Sequence, residues 1–263
     1  MPSFDLTGRI AIVTGGAQGL GRAMAVALAQ AGAGIAVVAR DPEPVTVGKS
    51  RPHAPLGAVL EEITALNRRV LGITADLRDR GEVARMVEEV RAAYGRIDIL
   101  VNVAGGAWGE TFRSGPLLEN GEDDLIEVYR ANVVTMFLCS SAVAPLMKQQ
   151  GKGVIVNIAS VAGRGASPGQ GAYGASKAGV INMSQTMAIE WAPEIRVNAI
   201  AVGSVESPHR PRWDSAALGA APAAALGRPS TEEEQAGTVV WLASDAASYV
   251  TGAVIDVNGG RRV

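Results

Sequence analysis

The chain has 263 residues, 48% of them hydrophobic, with 24 basic and 26 acidic side chains and a formal net charge of -2. This length allows one large α/β unit with a substantial core. The pI of about 5.8 is not the basic footprint of a nucleic-acid binder, so small soluble partners are expected.

The segment Met1 to Arg9 carries no basic region followed by a long apolar one, and no apolar run reaches membrane-spanning length, so neither a signal nor a membrane partner is expected. Cys139 is the only cysteine, which makes an internal disulfide impossible. A buried thiol and a reducing cytoplasm are the expectation.

The first element is Ile10-Ala11-Ile12-Val13, a short apolar run within Gly8 to Gly16 and ended by glycines, as a strand buried on both faces should read. It runs into Thr14-Gly15-Gly16-Ala17-Gln18-Gly19-Leu20-Gly21, and a helix is expected from about Leu20 to Ala31. Glycines at 15, 19 and 21 permit a tight strand-to-helix turn and close approach of a diphosphate to amide groups at the positive helix end. After the second strand, Ile35 to Val38, stands Ala39-Arg40-Asp41. An acid at this strand end would bind ribose hydroxyls, whereas a base would take a 2′-phosphate. With Ala39 in the acidic position, Arg40 offers a guanidinium fork for phosphate, so NADP(H) is favoured and NAD(H) remains possible through Asp41.

From Asp41 to Gly57 the prolines at 42, 44, 52 and 55 with Gly48 predict a loop, to which Lys49 and Arg51 add charge. The third strand, Val70 to Ile73, leads to Asp76, and the fourth, Ile97 to Val101, leads to Asn102-Val103-Ala104-Gly105. Asp76 could accept a hydrogen bond from an adenine amino group, or either Asp76 or Asn102 could simply cap a helix or turn. A fifth strand is expected at Val154 to Ile158.

Beyond it, Tyr173 and Lys177 lie four residues apart, which on a helix places them on one face. A phenol normally titrates near pH ~10, and an adjacent cation favours its ionised form, which suits proton exchange with a carbonyl or alcohol oxygen. A sixth strand follows at Arg196 to Ile200. Next, Ser204 to Gly227, with prolines at 208, 211 and 222, reads as a candidate substrate lid or an ordinary surface connection. Ser230-Thr231-Glu232-Glu233 reads as a capping box with Ser230 as N-cap, and Val254 to Val257 is the last strand. Strands alternating with helices imply a doubly wound parallel sheet of about seven strands, helices on both faces, in a single domain over residues 1–263.

Taken together these motifs resemble those of the short-chain dehydrogenase/reductase family in its compact Rossmann-fold form. The resemblance covers nearly the whole chain: the glycine turn, Asp76, Asn102 to Gly105, Asn132, Ser160, the Tyr173/Lys177 pair, and Val202 to Ser207. It implies an oxidoreductase that interconverts a ketone and a secondary alcohol. Tyr173 would donate the proton, Ser160 would hold the carbonyl oxygen, and Lys177 would act on the tyrosine and on the nicotinamide ribose. Asn132 would hold a water that links Lys177 to solvent. Cofactor contacts are implied at Gly15, Gln18, Gly19, Leu20, Gly21, Arg40, Asp76, Leu77, Asn102, Ala104, Gly105, Val205 and Ser207, besides Tyr173 and Lys177. No metal site is read. An NAD-linked alcohol or sugar dehydrogenase, and a non-catalytic nucleotide sensor, are the other readings.

The chain departs from the family pattern at Val103, where a second Asn is usual, and at Val202, where Pro is usual. Ser207 replaces a Thr. The stretches Arg40 to Asp76 and Gly106 to Asp123 are longer than usual, the second bringing Trp108, Glu110, Phe112 and Arg113 near the expected substrate entrance. Val161 and Trp213 suggest an apolar pocket, while His209, Arg210 and Arg212 suit an anionic group. Trp191 and Trp241 read as packing residues. The resemblance also implies a homotetramer, with dimers formed through helices at about Glu122 to Gln150 and Gly171 to Ala192.

Overall fold

The computed structural model describes residues 4–40, 56–107, 115–206 and 224–261. Expectations for Lys49, Arg51, Trp108, Glu110, Phe112, Arg113, Ser207, His209, Arg210, Arg212 and Trp213 fall outside them.

The strands are β1 (Ile10–Thr14), β2 (Gly34–Ala39), β3 (Val70–Thr74), β4 (Ile99–Asn102), β5 (Gly153–Ser160), β6 (Ile195–Val202) and β7 (Val254–Val257). All pair in parallel in the order β3-β2-β1-β4-β5-β6-β7. The helices are α1 (Gly19–Gln30), α2 (Leu56–Ala65), α3 (Arg80–Tyr94), α4 (Glu122–Tyr129), α5 (Thr135–Gln150), α6 (Gly171–Glu190) and α7 (Glu232–Ala243).

Side-chain alternation along each strand feeds two cores. In β1, Ala11 and Val13 face the layer of α1, α2 and α7 with Met24, Leu28, Val59, Ile63, Val239 and Leu242. Ile10 and Ile12 face α3, α5 and α6 with Met86, Val90, Cys139, Val143, Met147 and Val180. Both faces of the strand are therefore dry, which is why its sequence is a continuous apolar run rather than an alternating one.

Local expectations needed four corrections. The capping box lies one residue later than expected: Thr231 Oγ1 accepts from the Glu234 amide and Glu234 returns the bond to the Thr231 amide, a motif worth about 1 kcal/mol. The rival pattern at Ser230 and Glu233 loses because Ser230 is used elsewhere, against Ser204. Helix α2 spans Leu56–Ala65, so Leu56 and Gly57, expected in the proline-rich loop, are helical. The third strand ends at Thr74, leaving Asp76 in the turn beyond it rather than at the strand end.

The fourth correction concerns Glu122 to Gln150, which is not one uniform α-helix. A π-helical turn, Arg130–Val134, separates α4 from α5. By length and composition this continuous helical run would qualify as a membrane span, contrary to the sequence expectation, with a mean hydropathy of 1.3 in its most apolar window. That window is 56% buried inside the fold, so its apolarity serves the core. Cys139 is buried as expected, and burial pushes its thiol up to about 12. Trp191 and Trp241 pack against the two cores.

Candidate active site

The sheet order reverses between β1 and β4, and in open sheets of this kind ligands bind outside the carboxyl ends of the strands at that point. Gly15 has φ +64, and a Cβ there would stand 3.0 Å from the Ala104 backbone. A Cβ on Gly21 would lie 2.1 Å from the Gly15 carbonyl oxygen. The turn can close only with glycine at both places. Gly19, with φ +56, meets nothing nearer than 3.8 Å and is needed for its backbone angle. Gln18 makes no side-chain bond to the first-turn amides of α1, and no acid stands in that turn. Backbone amides at a helix start and the positive helix end are groups that suit a diphosphate.

Ala39 and Arg40 stand at the end of β2, with Arg40 exposed. The Ala75 amide donates to the Ala39 carbonyl at 2.9 Å, so Asp76 sits beside that strand end. Its carboxylate accepts from Arg78 Nε at 3.0 Å and Arg78 Nη2 at 2.6 Å, and from the Arg78 amide at 3.0 Å. The Arg78 hydrogen bond holds the Asp76 carboxyl below its usual range, and the charge of Arg40 adds to this. Asp76 is thus a turn residue as well as an adenine candidate. Leu77 is buried in the core, which leaves only its backbone for a ligand.

The side chain of Asn102 is buried between β4, β5 and α5. Its Nδ2 donates to Ser140 Oγ at 3.0 Å and to Asn157 Oδ1 at 2.8 Å, and Asn157 Nδ2 donates to Ser184 Oγ at 2.8 Å. This buried chain ties β4 and β5 to α5 and α6. Val103 lacks the usual amide side chain, yet the strand end is still fastened. Thr14 Oγ1 accepts from the amides of Val103 at 3.0 Å and Ala104 at 3.1 Å.

Ser160 ends β5 and its Oγ accepts from the Ala162 amide at 3.2 Å. The 3₁₀ turn Val161–Gly163 then packs directly on α6. A Cβ on Gly163 would fall 2.5 Å from the Lys177 carbonyl carbon, and one on Gly174 would fall 2.7 Å from the Ala162 oxygen. These two glycines let the strand end carrying Ser160 lie against the helical turn carrying Tyr173 and Lys177.

Lys177 is 5% exposed, and its Nζ donates to the Ile158 carbonyl at 2.8 Å. Burial lowers its pKa to about 8. The same Nζ lies 5.8 Å from the centre of the Tyr173 ring. The predicted shared face is therefore real. A desolvated ammonium is held beside a phenol, where its field is little screened.

Asn132 occupies the π turn. Its Oδ1 accepts from the Gly106 amide at 3.0 Å, and its Nδ2 donates to the carbonyls of Gly106 and Val128, both at 2.9 Å. Gly105, with φ +130, leaves room for it, since a Cβ there would stand 2.5 Å from Asn132 Oδ1. The side chain of Asn132 is committed to the loop after β4 and to Val128.

Val205 pairs with Ser230 in an isolated parallel bridge. Of the candidate lid, Ser204 to Glu206 and Ala224 to Gly227 are described and both ends are fastened. The Glu206 amide donates to Ser230 O at 2.7 Å and the Leu226 amide to Gly259 O at 3.0 Å. Sequence reasoning missed Asn157 and the bond-accepting role of Thr14. The signal for Asn157 was present, because an amide in the middle of a doubly buried strand must find partners.

The profile of the short chain dehydrogenase family matches residues 9–217. The 3-oxoacyl-acyl-carrier-protein reductase FabG of Thermotoga maritima is 38% identical over 260 residues, covering 97% of this chain and 98% of that protein. The carveol dehydrogenase from Mycobacterium avium, solved in complex with NAD, superposes with a TM-score of 0.87 at 28% identity, over 97% of this chain and 98% of that one. The NADPH-dependent 3-quinuclidinone reductase from Rhodotorula rubra gives 0.85 at 26% identity, over 98% and 92%.

Proposed function

We propose that this chain, which belongs to the short chain dehydrogenase family, is an NADP(H)-dependent oxidoreductase that interconverts a ketone and a secondary alcohol. The observation that carries the reading is the buried Lys177 ammonium fixed on Ile158 beside the Tyr173 ring, against the strand end that bears Ser160. Neither a packing tyrosine nor a solvated lysine calls for such burial.

NADP(H), when bound, supplies or accepts the hydride. The glycine turn and first amides of α1 would hold its diphosphate, Arg40 its 2′-phosphate, and the segment at Val205 and Ser207 its carboxamide. Tyr173 passes a proton to the carbonyl oxygen, and Ser160 Oγ donates to that oxygen as charge develops on it. Lys177 favours the ionised phenol after the proton has left. Since the Asn132 side chain is engaged with Gly106 and Val128, resupply of the proton through this residue falls to its backbone.

The reading is tested by following reduced-nicotinamide absorbance with NADPH and NADH over ketones, aldehydes, β-ketoesters, acyl thioesters, quinones and steroids. Arg40→Ala is expected to reduce the preference for NADPH over NADH by about tenfold to a hundredfold, the worth of a charged hydrogen bond. Equal affinity of the parent for both cofactors would overturn the phosphate assignment, and the NAD-linked dehydrogenase would take its place.

We also propose a cytoplasmic homotetramer. Leu125, Ile126 and Tyr129 are about half exposed and line an apolar groove on α4 and α6 with Ala172 and Ala175. That surface supports pairing of two copies. A monomeric mass in solution at working concentration would refute it.

A further inference from the structure

The core-facing side of α7 consists of Gln235, Ala236, Val239, Leu242 and Ala243. Four of these are apolar, and the exception, Gln235, is wholly buried. Its Nε2 donates to Ser230 Oγ at 2.7 Å and to the Val257 carbonyl at 2.9 Å. An amide oxygen at 2.9 Å from the Val257 carbonyl oxygen would be repelled, which fixes the orientation of the amide. The other amide atom, Oε1, is buried with no hydrogen-bond partner among the described residues.

Stability does not account for this residue. Val257 O already accepts from the Gly203 amide at 3.0 Å, and Ser230 Oγ donates to Ser204 O at 3.3 Å. Deleting the Gln235 amide would therefore leave neither partner unpaired, while removing a buried acceptor that has none. What the amide does accomplish is mechanical. It joins α7 and the end of β7 to Ser230. Ser230 in turn grips the segment after β6: its amide donates to Ser204 O at 3.0 Å, and its carbonyl accepts from the Glu206 amide at 2.7 Å.

We infer that Gln235 is a positioning residue that holds Ser204 to Glu206 in place as one wall of the cofactor site. The inference deepens the proposed function and rests on it for the identity of the ligand, but the fastening itself belongs to the protein alone.

The test compares the full-length parent with Gln235→Met and Gln235→Leu, which keep similar bulk and lose the amide. Hydrogen exchange of the Glu206 and Ser230 amides in the ligand-free protein is expected to quicken about tenfold or more, with a thermal midpoint equal to or above the parent's. KM for NADPH is expected to rise about three- to tenfold with a much smaller change in kcat, the mark of lost binding geometry rather than lost chemistry. Val239→Ala serves as the structural control. It should lower the midpoint by opening a cavity, without selective exchange at Glu206 and without a KM change. Unchanged exchange at Glu206 and Ser230 in both Gln235 variants would overturn the inference, as would a lowered midpoint with uniformly faster exchange. If the parent turned over no substrate, the proposed function would fall, while the exchange result would still decide the role of Gln235.

Discussion

Replacing Tyr173 by phenylalanine is expected to lower kcat for ketone reduction by about 10²- to 10⁴-fold, the range for loss of a positioned general acid. The ring remains, so its packing beside Ala107, Val128 and Ala172 is retained. Only the proton-carrying oxygen is removed. Affinity for the cofactor should stay within about threefold, because an interaction made only in the transition state lowers kcat and kcat/KM together. Steady-state kinetics beside a fluorescence titration of NADPH would separate these quantities. A variant that reduced ketone at the parent rate would remove Tyr173 from the chemistry.

Lys177→Met should produce two effects of opposite sign. Activity is expected to fall by a factor comparable to that of Tyr173→Phe, since in the proposed mechanism the ammonium is what makes the phenol a usable acid. The double variant should be little worse than either single one, because residues acting as a unit are not additive. Stability, by contrast, should rise at neutral pH. Burial lowers the Lys177 pKa from 10.5 to about 8, a shift equivalent to about 3 kcal/mol of cost for holding the charge inside.

The direction with pH follows from the proton count. Between about 8 and 10.5 the unfolded chain keeps a proton that the folded chain has released, so parent stability rises with pH across that window. Below about 8 both states are protonated and the full cost is present. The stability advantage of Lys177→Met is therefore expected to be largest below pH 8 and to shrink toward 10.5. Urea unfolding of both proteins on either side of pH 8 would measure it. An advantage independent of pH would mean that the ammonium is not desolvated.

The chain order of the elements, the doubly wound sheet and the joint placement of Tyr173 and Lys177 were legible in the residues, because each depends on local rules. Apolar runs ended by glycine specify buried strands, and a separation of four specifies one face of a helix. The capping of α7 by Thr231 and the commitments of Asn102 and Asn132 were not legible in this way. Each was settled by competition between partners distant in sequence. Ser230 loses the N-cap role because Ser204 and Gln235 engage it, and Asn132 loses a free side chain because Gly105 brings the Gly106 backbone within reach.

By itself the sequence determined which chemical groups are available to this protein: a phenol, an ammonium, a hydroxyl and a glycine turn before a helix. The tertiary structure decided how they are presented. It buried Lys177 against Ile158, seated Ser160 on α6 through Gly163 and Gly174, and engaged the Asn102 amide with Asn157 and Ser140. Desolvation and close backbone contact act across the whole fold, and neither is set by a residue's neighbours along the chain.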